Sequence, residues 1–557
     1  MDAVCQSSTA PIVDLYSCDF TFPSTTTGAT YPSAEFRLNS FIPGAQTSPS
    51  IASIPGKPGQ FIATWASGGQ DGSGGGVYAQ AFDIGAAISS IPTPIGSEFK
   101  VNTVTEGDQL YPSVGVLPTF PILVAYESLV TNASSLSSTL RDRKILAQRI
   151  SSSYALIGPE LTISSNSLTN FSPRVVPLAS LSGPLADCFA VIYIVWDHST
   201  GRRNVLSRVL WANNGTFRTP EFAISPSSLP LSTTTVSAAP LANFGDTFAV
   251  VWSAMVNGVD TLFAQIVSAD GKLIGTEFTI TDPAALTNRQ TESAVVSLRN
   301  GGVVVPFTAV DGRTTSQVPG SRVDVQVFDK FRARVSTTFR TSQLGGATTI
   351  QPTGVQVSSG ALLVGYAGAA LSQSLVDYNI FVTAADPSTG NVRSDTILVT
   401  TTNNGSQSQP AMTVVTRGSI EYVVVAWSSQ GQDPDGSTGI YGRLMRCRRP
   451  IDCAVSAWSA WSTCSQPCNT GTQTRIRTVV TQASDGGAAC PSLLESRTCG
   501  STRCDGCDAC SVDKCYIFLE GKYTFDGAVA ACTALKANAS VASGQNFCRR
   551  RTSFIVM

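Results

Sequence analysis

Trp458 and Trp461 stand three residues apart, and Arg475 and Arg477 stand two apart shortly after them. On a strand the two arginines share one face. Guanidinium groups layered against indole faces gain roughly 0.5–2 kcal/mol each through cation–π contact. Six cysteines surround these residues: Cys453, Cys464, Cys468, Cys490, Cys499 and Cys504. Six allow many pairings, and spacing alone selects none of them. Other groups offer less chemistry. His198 is the single histidine, after Trp196-Asp197 in a polar stretch. A His-based metal cluster is therefore excluded, a Ser-His-Asp triad has one candidate base, and a solvated loop histidine is the expectation. Gly72-Ser73-Gly74-Gly75-Gly76 lacks the Lys-Ser/Thr of a phosphate loop and reads as a hairpin. No catalytic constellation emerges.

Composition narrows the class. The chain has 557 residues, 42% apolar and only 13% charged, with Lys+Arg 37 against Asp+Glu 38. That balance argues against a nucleic-acid binder, which needs clustered positive charge. No apolar run is long enough for a membrane span. Of 15 cysteines, twelve fall between residues 447 and 557, the density of a disulfide scaffold in an oxidising compartment. Asn132, Asn170, Asn214, Asn404 and Asn538 each begin an Asn-x-Ser/Thr acceptor for N-glycosylation. An extracellular or cell-surface location follows. The start, Met1-Asp2-Ala3-Val4-Cys5, shows no leader, so the expectation is an incomplete N-terminus. The pairing of Cys5, Cys18, Cys188 and Cys447 stays open.

These residues need elements to hold them, and the first 446 residues repeat. A short strand near a proline recurs at Pro49, Pro112, Pro173, Val236, Glu292, Pro352 and Pro410, at spacings of 56–63 residues. A β run then ends in an aromatic: Trp65, Tyr126, Trp196, Trp252, Phe307, Tyr366 and Trp427. Units close on Glu98-Phe99, Glu160-Leu161, Glu221-Phe222 and Glu277-Phe278, with degenerate closes after these. The seventh unit has no such close, but Glu35-Phe36 precedes the first. A seven-bladed β-propeller over 33–446 explains the displacement, with the N-terminal strand completing the last blade. On its inner strands only Glu292 is acidic, and the Glu of each Glu-Phe belongs to an outer strand.

Three resemblances add to this. Trp65-Ala66-Ser67-Gly68-Gly69-Gln70-Asp71-Gly72 and Trp427 through Gly436 resemble repeats of bacterial surface proteins. Their carboxylates, Asp71, Asp433 and Asp435, are weak metal candidates. Calcium is the ion they could take, although an Asp-Gly turn explains them without one. Residues 452–504 resemble the thrombospondin type 1 repeat. That resemblance implies the pairs Cys453–Cys490, Cys464–Cys499 and Cys468–Cys504, C-mannose on Trp458 and Trp461, and no O-fucose, because Pro467 replaces the acceptor. It also implies adhesion or matrix binding, often to sulfated glycans, with Trp458, Trp461, Arg475 and Arg477 as binding residues. The plainer expectation is that the stack itself consumes both arginines. Cys515-Tyr516-Ile517-Phe518 and Tyr523 through Cys532 resemble the opening of a C-type lectin-like domain, cut short within a Cys-rich tail, 505–557. Its helix would carry Asp526 and Cys532.

The fold expected is thus mainly β: a short segment 1–32, the propeller, the disulfide-rich module and the partial tail. The function expected is non-enzymatic adhesion or recognition, with extracellular glycans or cell-surface and matrix proteins as partners and no cofactor beyond calcium. A secreted glycan-acting hydrolase and a structural wall or matrix component are the alternatives.

Overall fold

The computed structural model describes residues 34–556 apart from 86–90, 120, 131–141, 167, 180–186, 227–230, 233–234, 243–245, 282–288, 311–319, 336, 342–347, 370–376, 391, 393–395, 403–404, 419, 448–451, 468–469, 484–488, 502–508, 511–514 and 521–552. Residues 15–449 form one unit, and the chain from Pro450 onward belongs to another.

The first unit is a seven-bladed propeller. Blade 1 runs from its inner strand outward as Gln46–Ser53, Gln60–Gly68, Gly75–Asp83 and Thr93–Lys100. Blade 2 is Gln109–Val116, Ile122–Val130, Asp142–Ile150 and Leu156–Thr162. Blade 3 is Thr169–Leu178, Cys188–Asp197, Arg202–Trp211 and Phe222–Ala223. Blades 4, 5 and 6 repeat the order from inner strands at Ser237–Pro240, Arg289–Ser293 and Thr348–Gln356. Blade 7 takes Gln407–Arg417, Ile420–Gln430 and Thr438–Cys447 from the end of the unit and Phe36–Arg37 from its start. Phe36 pairs with Gly442 and Arg37 with Tyr441, antiparallel. The ring closes as the displaced Glu35-Phe36 predicts.

Seven apolar clusters hold the ring, one between each pair of successive blades. Every blade is therefore covered on both faces. This is why second strands such as Cys188–Asp197 are continuous apolar runs instead of alternating ones. The seam cluster joins Phe36, Leu38 and Trp65 to Val424 and Leu444.

The proline of each repeat marks a bulge on the inner strand. Ser48, Tyr111, Ser172, Gln351 and Gln409, each preceding proline, have φ between 52° and 57°, and the register shifts there in every case. Left-handed backbone at such residues costs about 1–3 kcal/mol. Side chains of neighbouring blades offset it by capturing the bulged N–H. Glu292 Oε2 accepts from Gln351 N at 2.8 Å, Gln351 Oε1 from Gln409 N at 2.7 Å, and Gln409 Oε1 from Ser48 N at 2.8 Å.

The glutamates of the Glu-Phe closes clamp one blade to the previous one. Glu98 accepts from the N–H and hydroxyl of Ser40 at 2.6 and 2.8 Å, and Glu160 and Glu221 repeat this on Thr103 and Ser165. Glu35 does so across the seam on Thr401 and Thr402. Gln70 and Gln432, from the two surface-type repeats, donate to Glu98 and Glu35 at 2.6 and 2.9 Å.

Register corrects one expectation. The aromatic opposite the bulge is Trp65, Tyr126, Tyr366 and Trp427 as read, but in blade 3 it is Tyr193, fully buried. Trp196 lies three residues further along, half-buried.

In the second unit, Gly471–Ile476 pairs antiparallel with Leu494–Cys499, and Ala454–Val455 with Val479–Thr481. Its described tail contains the strand Cys515–Glu520, paired with Ala509–Cys510 and Ser553–Val556. The lectin-like helix with Asp526 and Cys532 lies outside the described residues.

Candidate functional site

Two places gather chemistry. The first is in the second unit. Ser456, Ser459, Ser462 and Ser465 recur every third residue. Their N–H groups donate to the carbonyls of Thr478, Ile476, Thr474 and Thr472 at 2.8–3.0 Å. Their hydroxyls accept from the N–H of the same four residues, also at 2.8–3.1 Å. A period of three carries the chain past the neighbouring strand without a regular ladder and directs Trp458 and Trp461 to one side. The layers then alternate. Arg477 lies 4.2 Å from the Trp458 ring, Arg475 lies 5.0 Å from Trp458 and 4.7 Å from Trp461, and Arg497 lies 4.2 Å from Trp461.

The sequence predicts four of the five members and misses Arg497. Its signal was its strand pairing, Arg497 opposite Gln473, which places it in line with Arg475 opposite Glu495. Arg475 is also ion-paired to Glu495 at 2.6 Å, and Arg477 donates to the Ser492 carbonyl at 2.9 Å. Disulfides Cys453–Cys490 and Cys464–Cys499 are formed as the resemblance implied. Cys468–Cys504 lies outside the described residues.

The second place is the propeller channel, a cavity of about 840 Å³ lined from all seven blades. Its blade 2 and 3 wall carries Glu127, Arg143, Arg174, Trp196, His198 and Arg203. Glu127 adds a second acid to the channel beside Glu292 of the inner strands. It comes from the second strand of blade 2, where inner-strand reasoning did not look. It is 2% exposed, ion-paired to Arg143 at 2.7 Å, and accepts from Ser172 N at 2.7 Å. Burial raises its carboxyl above the ordinary range, against the lowering effects of that N–H and of Arg143. Burial likewise raises Glu292. Both acids hold bulged N–H groups, so both serve the ring. His198 is not merely solvated. Its ring lies 3.9 Å from that of Trp196, and its Nε2 lies 2.9 Å from the Thr169 hydroxyl.

The metal candidates occupy turns. Asp71 accepts from Ser73 N at 3.1 Å and Asn102 Nδ2 at 3.2 Å. Asp435 accepts from Ser437 N at 3.0 Å. Asp433 is buried and accepts from the Tyr441 hydroxyl at 2.6 Å. No group of three or more His, Cys, Asp or Glu side chains gathers among the described residues.

Of the glycosylation acceptors, Asn214 is exposed. Asn170 is a correction: it is fully buried, and its Nδ2 donates to Arg143 O, Asn166 Oδ1 and Leu168 O. A glycan has no room there. Asn132, Asn404, Asn538, Cys5 and Cys18 lie outside the described residues. Cys188 is a buried free thiol, pushed up to about 11 by burial.

Comparison with known proteins separates the two units. For the propeller, the chain is similar to a protein of unknown function from Dyadobacter fermentans (10% identity, TM-score 0.43, covering 74% of this chain and 98% of that one). It is also similar to an α-L-arabinanase of Penicillium chrysogenum solved with arabinobiose (14%, 0.42, 61% and 93%). Likeness this distant carries no chemistry across. For the second unit, the chain is 45% identical over 60 residues to thrombospondin type-1 domain-containing protein 7A of Danio rerio, covering 11% of this chain and 4% of that protein. It is 40% identical over 55 residues to spondin-1 of Rattus norvegicus, covering 10% and 7%. The match thus spans one module of much longer relatives. That module, residues 453–504, is a spondin-like thrombospondin type 1 domain.

Proposed function

We propose that the chain is a non-enzymatic, modular extracellular protein for adhesion or recognition, working without a cofactor. The thrombospondin type 1 domain meets extracellular glycans or cell-surface and matrix proteins, and the propeller is the rigid body that carries it. The supporting observation is how that domain is built. It has two disulfides, a serine ladder and a layered stack, and Gly471 is its one buried residue among those described. Nearly all of it is display surface. Its disulfides support an oxidising, extracellular setting.

The test is surface plasmon resonance of the full chain on immobilised sulfated glycosaminoglycan and on matrix proteins, for the wild type and Arg477→Ala/Arg497→Ala. These two arginines cap the stack and leave the Arg475 sandwich intact. Saturable binding that the double variant weakens about tenfold supports the reading. Absence of binding to either surface refutes it. Turnover of a glycan panel, lost in Glu292→Gln, would turn the reading to a hydrolase.

A further inference from the structure

The seven blades supply their own standard of comparison. One channel-facing position is defined by register: it pairs with the residue before the buried aromatic, and in blade 5 it falls to Ala294, whose N–H donates to the carbonyl of Pro306. Six blades put a small residue there, among them Ser50, Ser113 and Ser237, and blade 3 puts Arg174. All seven line the cavity. Two of the small residues serve the ring. Ser50 Oγ accepts from Val114 N at 3.1 Å and Ser113 Oγ from Val175 N at 3.0 Å. Arg174 has no acceptor to offer the next blade. Arginine forgoes the bond that Ser50 and Ser113 make, and ring architecture does not explain it.

The charge around Arg174 is one-sided. Its guanidinium is half-buried and donates to its neighbour's carbonyl, Pro173 O, at 2.9 Å. It makes no ion pair among the described residues. The one carboxylate beside it, Glu127, is already ion-paired to Arg143 and bonded to Ser172 N. Arg203 adds a further guanidinium to the same wall, 5.0 Å from the Trp196 ring. A partly desolvated cation in excess of its counter-charges favours an anion. The opposite wall is of another kind. It presents the hydroxyls of Ser48, Ser50 and Thr353, the amides of Gln351 and Gln409, and proline rings. Groups that both donate and accept suit a ligand rich in hydroxyls. The cavity, about 840 Å³, far exceeds a simple anion and falls within the roughly 300–1,000 Å³ of organic ligand sites.

We propose that the propeller channel binds an acidic saccharide, with its carboxylate or sulfate on Arg174 and its hydroxyls against the Ser/Thr/Gln wall. The site stands independently of the reading of the thrombospondin type 1 domain.

His198 lines the same cavity and is the only histidine in the sequence. Its ring proton is therefore a single reporter in the NMR spectrum of the full chain. The full chain is titrated at fixed pH and salt with a uronate tetrasaccharide, a sulfated tetrasaccharide, a neutral tetrasaccharide, inorganic sulfate and pentaglutamate. Calorimetry runs in parallel. At least one acidic saccharide should bind and shift the His198 signal saturably, and which one does so distinguishes carboxylate from sulfate. Arg174→Ser installs the residue that other blades use at this position, so the thermal midpoint should hold while affinity falls about tenfold or more. Arg174→Lys should retain part of the affinity. Five results would each overturn the proposal: no binding of either acidic saccharide; binding that leaves His198 unmoved; undiminished binding in Arg174→Ser; loss in that variant accompanied by unfolding while Arg174→Lys binds no differently from the wild type; or equal affinity for the neutral sugar, sulfate alone or pentaglutamate.

Discussion

Removing the Phe36 ring should open the propeller at its seam. Phe36 is 5% exposed and packs in the cluster that joins blades 7 and 1. Phe-to-Ala truncation in a core costs about 3–5 kcal/mol. The seam gives the core little chance to collapse, because the strand is pinned on both sides of Phe36, by Glu35 on Thr401 and Thr402 and by Leu38 N on the Ile440 carbonyl. The upper half of that range is expected. Gly442 supplies an internal control. A Cβ there would stand 3.1 Å from Phe36 Cζ and 3.3 Å from the Val425 carbonyl oxygen. Gly442→Ala should therefore cost about 1–3 kcal/mol by overpacking. With the ring gone, one of its two clashes disappears. The double variant should be more stable than the sum of the singles by about 0.5–1.5 kcal/mol. Guanidinium unfolding followed by tryptophan fluorescence measures all three, with Trp65 inside the cluster as reporter. Phe331→Ala, at a residue 74% exposed, should change nothing. A Phe36→Ala cost under about 1 kcal/mol, or strict additivity with Gly442→Ala, would refute the closure argument.

Two further outcomes follow from the ring and the stack. Burial holds the Glu292 carboxyl above its ordinary value, so the folded state keeps the proton to higher pH than the unfolded chain. Its contribution to stability is full below the ordinary carboxylate value and is lost as pH rises through the raised one. Glu292→Gln keeps the acceptor for Gln351 N, as Gln351 and Gln409 do for their neighbours. It should be at least as stable as the wild type at pH 7, with a flatter profile of melting temperature from pH 4 to 8; a loss at pH 7 would show that the charge is needed. Arg475→Ala should destabilise the thrombospondin type 1 domain by about 1–2 kcal/mol, the sum of two half-exposed cation–π contacts and a surface ion pair. Arg475→Lys should restore less than half, for want of a planar group to layer. Amide exchange at Thr474 and Ile476 reads the change locally; protection equal to that of the wild type would show that the stack is idle.

The blades were legible in the sequence because burial on both faces writes itself as unbroken apolar runs ending in an aromatic. The closure was legible because one Glu-Phe stood where no unit needed it. The layered stack was legible from residue types at fixed spacing. Three features were not, each for a physical reason. Trp196 and Tyr193 both end an apolar run, and only the register against the bulge shows which is opposite it. Their separation of three residues puts them on opposite faces of the strand. Glu127 reaches the channel from a second strand, which no count of inner-strand residues includes. The serine ladder was on view as Ser456, Ser459, Ser462 and Ser465, but a period of three matches neither the strand nor the helix template and so raised no expectation.

A closed ring of repeats lets one chain separate architecture from function. Each blade must solve the same problems: a buried aromatic, a pinned bulge, a clamp to its neighbour. Where several blades use one solution, the residue belongs to the ring, however much it looks like chemistry. Glu292 is acidic, half-buried and in the channel, yet Gln351 and Gln409 do its work next door. Glu98 and Glu160 are clamps by the same test. Where a single blade departs and gains nothing structurally, the ring cannot be the reason. Arg174 departs from six small residues and gives up a hydrogen bond that two of them make. Trp196 and His198 face the same cavity from the same blade. A cation that the ring does not explain, set on one wall with an aromatic ring and the histidine, is what makes blade 3 the place to look for a ligand.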